Sequence, residues 1–582
     1  MPSAKTSVDS SNPDAIHYDL LLVGGSSSNL VLAHRLLDLA KLSGLTVSIA
    51  IVEKGPQFGA HIVSGAISDP HVIAKLFPDY RENGFPIEGF VAKSHLSVLG
   101  EAQKWDLPEA MIPEGLQKDG HAILTLSHVI RWLADQLQEK AKDLPNVTLD
   151  LFPGFAAQEI LYEGETVVGV RVSESGSLTE DAIFARCTCF GDKGFISKDL
   201  IAKFNLRPNP QLWSVGVKEV WEIEGDYQGQ VWHTLGYPVL DGTFGGGFVY
   251  GLSAKRLAIG LIISLDSHNP NINPQQRLQD YKAHPWIQGL LKGGRLLKYG
   301  AAVIPEGGYY SLPTRFMVNG ALLLGDALGV LDAASLSGVD RAMETGYIAA
   351  GLLHDAFLQN DFGLLDAYQQ QVLDSFVGRA LYTSRYFRNA FLSNGRLLGE
   401  YLPAVAASVD ERHPWFGSLR YGLAKPIQRA TETVVALTQI LGKTQRTEPA
   451  VYTPCHEQIQ PDFSPRPVVV NAHAFTQTLY PRSDAVFFAG TKYHEGNRHI
   501  EEFSAETCQR CIATYEKLGK ATPCVSDCTA EVHRVDVLRD LHVHAMSLEN
   551  CIQCRTCEIV CPKMNLRVNP TYEGSGPDFY GL

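Results

Sequence analysis

Cys551, Cys554, Cys557 and Cys561-Pro562 follow the order C-x2-C-x2-C-x3-C-P, and no other feature limits the fold of this chain so tightly. Three thiolates that close together can wrap a [4Fe–4S] cubane from one tight loop, with backbone amides turned inward at the sulfides. A fourth thiolate must come from elsewhere, because the last cysteine of such a run often serves a second cluster. Zinc is the competing ion, but zinc sites usually separate their C-x2-C pairs by a longer spacer. The segment is therefore expected to fold around iron and sulfide.

Eight of the eleven cysteines lie between Cys508 and Cys561, while Cys187, Cys189 and Cys455 are scattered. Such clustering in a large chain without a secretory signal points to metal ligands rather than a disulfide framework. Cys508-x2-Cys511 and Cys524-x3-Cys528 leave three readings open: a zinc site, a second cluster, or one ligand plus bystanders. The preferred single ligand is Cys528, so the candidate metal set is Cys528, Cys551, Cys554, Cys557 and Cys561.

The amino-terminal segment constrains the fold in a different way. Tyr18 to Gly24 (YDLLLVG) has the form of a buried parallel strand, Leu30 to Ala40 has helical spacing, and Thr46 to Glu53 is a second β-rich run ending in an acid. Together they make a βαβ unit of dinucleotide-binding size. Of the usual G-x-G-x-x-G only Gly24 is in place, with Gly25 beside it. Ser26 and Asn29 occupy the second and third glycine positions, which is expected to compromise close approach of a pyrophosphate. Serine can still line a phosphate at a helix N-terminus, and Glu53 is placed to accept hydrogen bonds from a ribose. A second strand, Ala321 to Leu324, runs into Gly325-Asp326-Ala327, a pattern by which flavoproteins bring a carboxylate to the flavin's ribityl chain or pyrophosphate. Gly24, Gly25, Ser26, Glu53, Gly325 and Asp326 are the candidate nucleotide contacts. A plain βαβ packing unit and a capped helix start would leave the same traces.

Between these ends, residues 122–143 read as helix and 148–190 as a set of strands. Residues 212–265 read as antiparallel sheet, with Gly245-Gly246-Gly247 in a turn or a tight approach. A helix starting near Asp340 carries Met343, Tyr347 and Ala350 on one face, and 363–442 look mainly helical. From about 450 Pro, Cys and polar residues mark a separate module. The length of 582 residues suits roughly three to four domains. A net charge of −13 excludes a general nucleic-acid footprint. No run approaches the ~18 apolar residues of a membrane span. The first seventeen residues, with one Lys, no Arg, Asp9 and Asp14, resemble neither a secretory signal nor an Arg-rich, acid-poor transit peptide, so they read as a loose tail on a cytoplasmic protein.

Longer stretches bring a resemblance. V-E-K-G-P-Q-F-G-A-H-I-V-S-G-A (52–66), L-F-P-D-Y (76–80), H-T-L-G-Y-P (233–238), F-G-G-G-F-V-Y (244–250), Y-G-A-x-x-I-P-E-G-G-Y-Y-S-L-P (299–313), the cysteine cluster and E-G-S-G-P-D-F-Y-G-L (573–582) occur in order. In these the chain resembles the electron-transfer flavoprotein:ubiquinone oxidoreductase family.

The resemblance implies an α/β, or α+β multidomain, fold. A Rossmann-like FAD-binding domain would span 18–370, interleaved with an antiparallel-sheet quinone domain at about 76–120 and 205–300. A mainly helical region would follow at 371–450, then a ferredoxin-like [4Fe–4S] domain at 451–582. It implies FAD, one [4Fe–4S] cluster and ubiquinone as cofactors and acceptor, and a reduced electron-transfer flavoprotein as donor. Gly24, Glu53 and Asp326 would then contact FAD, Gly245 and Gly246 would lie beside the quinone head group, and Cys528, Cys551, Cys554 and Cys557 would ligate the cluster. No acid/base triad is required and none is visible, so the catalytic set is empty. A flavin and a one-electron cluster suit the making of a two-electron quinol from one-electron donors.

The departures are the degraded glycine turn, a shortened flavin motif at Phe190-Gly191-Asp192-Lys193-Gly194, the extra cysteines, and a polar 389–442 where the family has an apolar membrane-dipping region. Trp415, Phe416, Leu419 and Tyr421 beside Arg412, Arg420 and Lys425 would make an interfacial patch or an ordinary core helix with a charged face. At most peripheral attachment to an inner membrane is expected, mitochondrial if a transit peptide has been removed. The rival readings are a flavoprotein of the same fold with a soluble acceptor, and a flavin-free iron–sulfur relay within a larger assembly.

Overall fold

The computed structural model describes residues 15–65, 67–173, 180–239, 243–267, 269–388, 451–458, 478–494, 498–539, 541–571 and 574–582. The candidate interfacial residues at 412–425 therefore lie outside the described residues, as do 389–442 as a whole.

Strand β1 (Ile16–Val23), helix α1 (Ser27–Ser43) and strand β2 (Val47–Glu53) form the expected βαβ unit. Leu20, Leu21, Leu22, Ile49, Ala50 and Ile51 are fully buried, as a strand covered on both faces requires. Helix α1 begins where the Ser26 hydroxyl accepts from the Asn29 amide, and it stops at Gly44, whose φ of 73° a side chain would resist. β1 lies parallel between β2 and the strand Glu180–Phe190. Val147–Pro153 extends this sheet on one side and Ala321–Leu323 on the other, both parallel. Ala156–Glu163 and Thr166–Ser173 pair antiparallel at its margin. Helix Leu126–Lys142 and the long helix Val339–Gln359 stand where helical periodicity was read.

The second sheet has seven strands and holds the expected antiparallel region. Trp213–Glu222 lies between Arg256–Ser264, paired in continuous register, and Arg295–Pro305, where a register shift falls between Val220 and Trp221. The order continues through Gly245–Ser253 and Gln230–Gly236 to Lys93–Leu99, which joins parallel, and Lys104–Asp106. Gly245-Gly246-Gly247 is thus not a turn. These glycines open the strand Gly245–Ser253, and none of them has a positive φ.

The cysteine-rich segment packs against this sheet and shares its core. Cys528, Cys551, Cys554 and Cys557 sit among Val303, Tyr299 and Phe579 in one buried cluster. The Tyr299 hydroxyl donates to the Thr529 carbonyl at 2.7 Å, and the Val303 amide to the Cys554 carbonyl at 3.1 Å. Among the described residues no helix is long and apolar enough to cross a membrane.

Candidate redox site

The first glycine turn ends β1 at the carboxyl edge of the parallel sheet, where ligands of such sheets bind. Gly24 has φ 94° and lies against the backbone of Asp192. At Gly25 an added Cβ would stand 2.5 Å from the Phe58 ring, so a side chain is excluded. Glu53 is clamped by backbone amides, accepting from Gly25 at 2.8 Å and Gly55 at 2.7 Å. Its remaining lone pairs are free for ribose hydroxyls.

The two replaced glycines behave otherwise than the sequence suggested. Asn29 is fully buried, and its Nδ2 donates to the carbonyls of Val23 at 3.0 Å and Gly24 at 2.8 Å. The amide thereby ties the end of β1 to the start of α1. A Cβ on Gly191 would stand 2.4 Å from Ser26 Oγ and 2.7 Å from Asn29 Nδ2, so the bulk missing from Gly191 is supplied by these two side chains. The crowding expected at the pyrophosphate is instead directed at the neighbouring strand end.

Asp326 opens the short helix Gly325–Leu328, with the Gly325 amide donating to Thr345 Oγ1. Lys193 reaches to 3.9 Å from its carboxylate. In the shortened flavin motif, Asp192 Oδ2 accepts from the amides of Ile196 and Ser197, so this acid starts a helix.

Gly24, Gly25, Ser26, Glu53, Asp192, Lys193 and Asp326 border one cavity of about 360 Å³. It runs from Gly24, Glu53 and Asp326, past Lys218 and His233, to Gly245, Gly246 and Phe387. Most of its wall is apolar, with few polar groups, the usual character of a small-molecule site. Gly245 and Gly246 border it, but not as expected. An added Cβ at Gly246 would stand 2.6 Å from the Thr234 carbonyl, and at Gly245 2.4 Å from the Ile262 carbonyl. Glycine is required there by the neighbouring strands, whatever occupies the cavity.

Three residues that sequence reasoning did not single out line this cavity with unusual chemistry. His233 Nε2 pairs with the Tyr250 hydroxyl at 2.9 Å; burial, with Lys118 adding to it, pushes the imidazole down to about 3. Lys218 donates to the Ser64 carbonyl at 2.9 Å, and burial pushes its ammonium down to about 7. Lys54, pushed down to about 8 by burial, contacts His61 Nδ1 at 2.8 Å and donates to Gln553 Oε1 at 2.5 Å. His233 and Lys54 had a signal in the sequence, as parts of the H-T-L-G-Y-P and V-E-K-G-P-Q-F-G matches, and Lys218 had none.

Gln553 belongs to the cysteine loop, so Lys54 joins that loop to the nucleotide end. The Arg555 guanidinium makes a second join by donating to the Lys193 carbonyl. The loop is tight enough to hold Gln553 and Arg555 at φ 54° and 67°. Amides turn inward on it: Gln553 donates to Cys551 Sγ at 3.3 Å and Val532 to Cys528 Sγ at 3.3 Å. Thr529 Oγ1 donates to Cys554 Sγ at 3.4 Å. Four buried sulfurs with N–H and O–H donors suit a cubane.

Cys561 is not with these four. Its sulfur accepts from the Asn565 amide at 3.2 Å, and the Asn565 side chain donates to Cys508 Sγ at 3.1 Å. Cys561 closes the short helix Thr556–Val560 at its C-cap, and the bonds through Asn565 set it beside Cys508.

Comparison with known proteins agrees with this geometry. Residues 213–304, the heart of the second sheet, match the family model described as ETF-QO, ubiquinone-binding. The electron transfer flavoprotein-ubiquinone oxidoreductase of Arabidopsis thaliana mitochondria is 29% identical, across 97% of this chain and 84% of that one. The Pseudomonas aeruginosa protein of the same name is also 29% identical, across 97% of this chain and 98% of its own. Among solved structures, a geranylgeranyl bacteriochlorophyll reductase-like protein of Thermoplasma acidophilum shares the fold, with a TM-score of 0.56 at 15% identity over 72% of this chain and 100% of that chain. With relatives spanning nearly its whole length and the quinone-domain model falling on the sheet that borders the cavity, the chain is similar from end to end to the electron-transfer flavoprotein:ubiquinone oxidoreductase family.

Proposed function

We propose that the protein passes electrons from a reduced electron-transfer flavoprotein, by way of FAD and a [4Fe–4S] cluster, to ubiquinone. The observation that carries this reading is the single cavity: its nucleotide end, its glycine strand and the cysteine loop at Gln553 share one wall.

Gly24, Gly25, Ser26, Glu53, Gly325 and Asp326 would hold FAD, which supplies acceptance of electrons in single steps. The amino end of α1 offers amides and a favourable dipole to the diphosphate, and Glu53 orients the ribose. Cys528, Cys551, Cys554 and Cys557 would hold the cluster. Lys54 and Arg555 keep the cysteine loop against the flavin side. The quinone head group would lie along Gly245 and Gly246, where His233 and Tyr250 face it from a dry wall. Because burial keeps His233 neutral, Lys218 is the better proton source for a reduced quinone near pH 7.

Within this reading the FAD domain spans 18–370 with the quinone domain interleaved at about 76–120 and 205–300, and 451–582 form a ferredoxin-like domain. Attachment to an inner membrane would be peripheral.

One spectrum with one variant tests the proposal. Anaerobically purified protein should show flavin and cluster bands together and release about one FAD per chain on acid precipitation. Cys554→Ser should remove the cluster bands and the reduced-state paramagnetic signal while FAD remains. A full complement of iron and sulfide in that variant would sink the ligand assignment, and a chain unable to take up FAD would sink the flavin assignment.

A further inference from the structure

The cysteines outside the first quartet also converge. Cys508 and Cys511 lie three residues apart on the helix Ala505–Glu516 and so share a face. Cys524 sits in the short helix Pro523–Ser526, and Cys561 ends Thr556–Val560. Asn565 binds Cys561 through its backbone and Cys508 through its side chain, which fixes those two sulfurs on one residue. Burial pushes the Cys508 thiol up to about 12 and the Cys511 thiol up to about 11, and the Cys561 sulfur adds to both. Cys524 is raised by burial and further by Cys561, Cys511 and Cys508. Cys561 thus lies near each of the other three.

The two quartets also mirror one another in sequence. The first run reads C-x2-C-x12-C-x3-C from Cys508 to Cys528, and the second C-x2-C-x2-C-x3-C from Cys551 to Cys561. In each run the first three cysteines stay together and the fourth crosses to the other group. Cys528 joins Cys551, Cys554 and Cys557, while Cys561 joins Cys508, Cys511 and Cys524. Exchange of the fourth ligand is the arrangement by which a chain holds two cubanes side by side.

A single ion is a poorer fit. Zinc–sulfur bonds of about 2.3 Å require ligand sulfurs within about 4.6 Å of one another. Among the described residues, the groups of three or more ligand atoms closed to within 4.8 Å are Cys524/His533/His544 and Glu502/Cys508/His544, neither containing Cys511 or Cys561. His544 is already engaged at both nitrogens, with Glu502 Oε2 at 2.6 Å and His533 Nδ1 at 2.9 Å. The cysteine quartet is too open for one zinc ion, as is the Cys528 quartet.

We propose that Cys508, Cys511, Cys524 and Cys561 hold a second [4Fe–4S] cluster beside the first. Cys511 and Cys524 are half-buried, whereas every sulfur-bearing residue of the first quartet is buried, so the second centre is the outer one. Resting on the quinone reading above, this gives an order of travel: from a donor at the surface to the outer cluster, then the inner cluster, then the cavity. Each cluster takes one electron, and together they hold the two that one quinone consumes with two protons to become quinol.

Metal analysis of the anaerobically purified chain tests the site without reference to turnover. About eight iron and eight sulfide per chain are expected, with zinc well below one. Reduced protein should give a paramagnetic signal broadened by two neighbouring spins. Cys511→Ser should lose about half the iron and leave one narrow signal, with FAD content unchanged as the check on folding. About four iron in the wild-type chain, four iron with one zinc, or an unaltered signal in Cys511→Ser would each overturn the proposal. Absence of FAD or of quinone reduction would fall on the function proposed above and leave the iron count as it was.

Discussion

Replacing Asn29 with glycine would restore the third glycine of the dinucleotide turn, and by the sequence rule it should tighten FAD binding. The structure predicts the opposite. The Asn29 amide makes two hydrogen bonds to backbone carbonyls at the end of β1, in a site with no solvent exposure. Each such bond contributes about 0.5–1.5 kcal/mol, so their loss costs about 1–3 kcal/mol. Glycine in the first turn of a helix adds a few tenths through backbone entropy. Ser26→Gly is a control at the same turn, because its cap bond to the Asn29 amide is long at 3.4 Å and Ser-to-Gly caps differ by only a few tenths. Guanidinium unfolding followed by circular dichroism and by release of flavin fluorescence reads both effects. Asn29→Gly should unfold at clearly lower denaturant and release flavin earlier, with Ser26→Gly close to wild type. An Asn29→Gly protein as stable as wild type, with tighter FAD, would refute the role given to this side chain.

Gly246→Ala should lower thermal stability and quinone reduction together, since its Cβ meets the Thr234 carbonyl at 2.6 Å. Ala334→Leu, on the cavity wall, should slow quinone reduction at a stability cost of about 1–3 kcal/mol, with FAD and iron content unchanged; wild-type turnover with a short-chain quinone would exclude that wall from the quinone site. The fully buried Lys282–Glu219 pair, at 2.9 Å, predicts a loss of about 3–5 kcal/mol for Lys282→Met, much of it recovered by adding Glu219→Gln. Denaturation of the three variants checks this, and additive losses would contradict it. Lys218 is lowered to about 7 when folded against 10.5 as its ordinary value, so the unfolded chain binds more protons between those pH values and stability rises with pH across that window. Lys218→Met should therefore be more stable than wild type at pH 6 and lose that advantage towards pH 10; an advantage independent of pH would count against burial as the cause.

What the sequence made legible was local. Periodicity located β1, α1 and β2, and the terminal acid of β2 proved to be the clamped Glu53. The meanings of Gly246, Asn29 and Cys561 were not legible, because each depends on a partner supplied by another element. Gly246 answers to a carbonyl on the neighbouring strand, Asn29 fills space left by Gly191, and Cys561 meets a helix more than fifty residues upstream. A motif fixes residue types and spacing, whereas these roles follow from pairing across long separations. Likewise Lys93–Leu99 was not foreseen as a strand of the second sheet, since its partner Gln230–Gly236 lies far along the chain.

The strand order of the parallel sheet has a consequence during synthesis. Glu180–Phe190 pairs with β1 on one side and, over Glu180–Phe184, with Thr166–Ser173 on the other, but Thr188–Phe190 at its end wait for Ala321–Leu323. At roughly 5–20 residues per second the ribosome needs about 7–27 s to cover that gap. Throughout that interval an apolar strand edge is exposed while most of the seven-stranded sheet emerges and begins to pair. Unpaired edges of this kind are templates for aggregation. Slowing translation between residues 190 and 321 should therefore lengthen the dependence of the nascent chain on a holding chaperone, whereas slowing it after residue 323 should not.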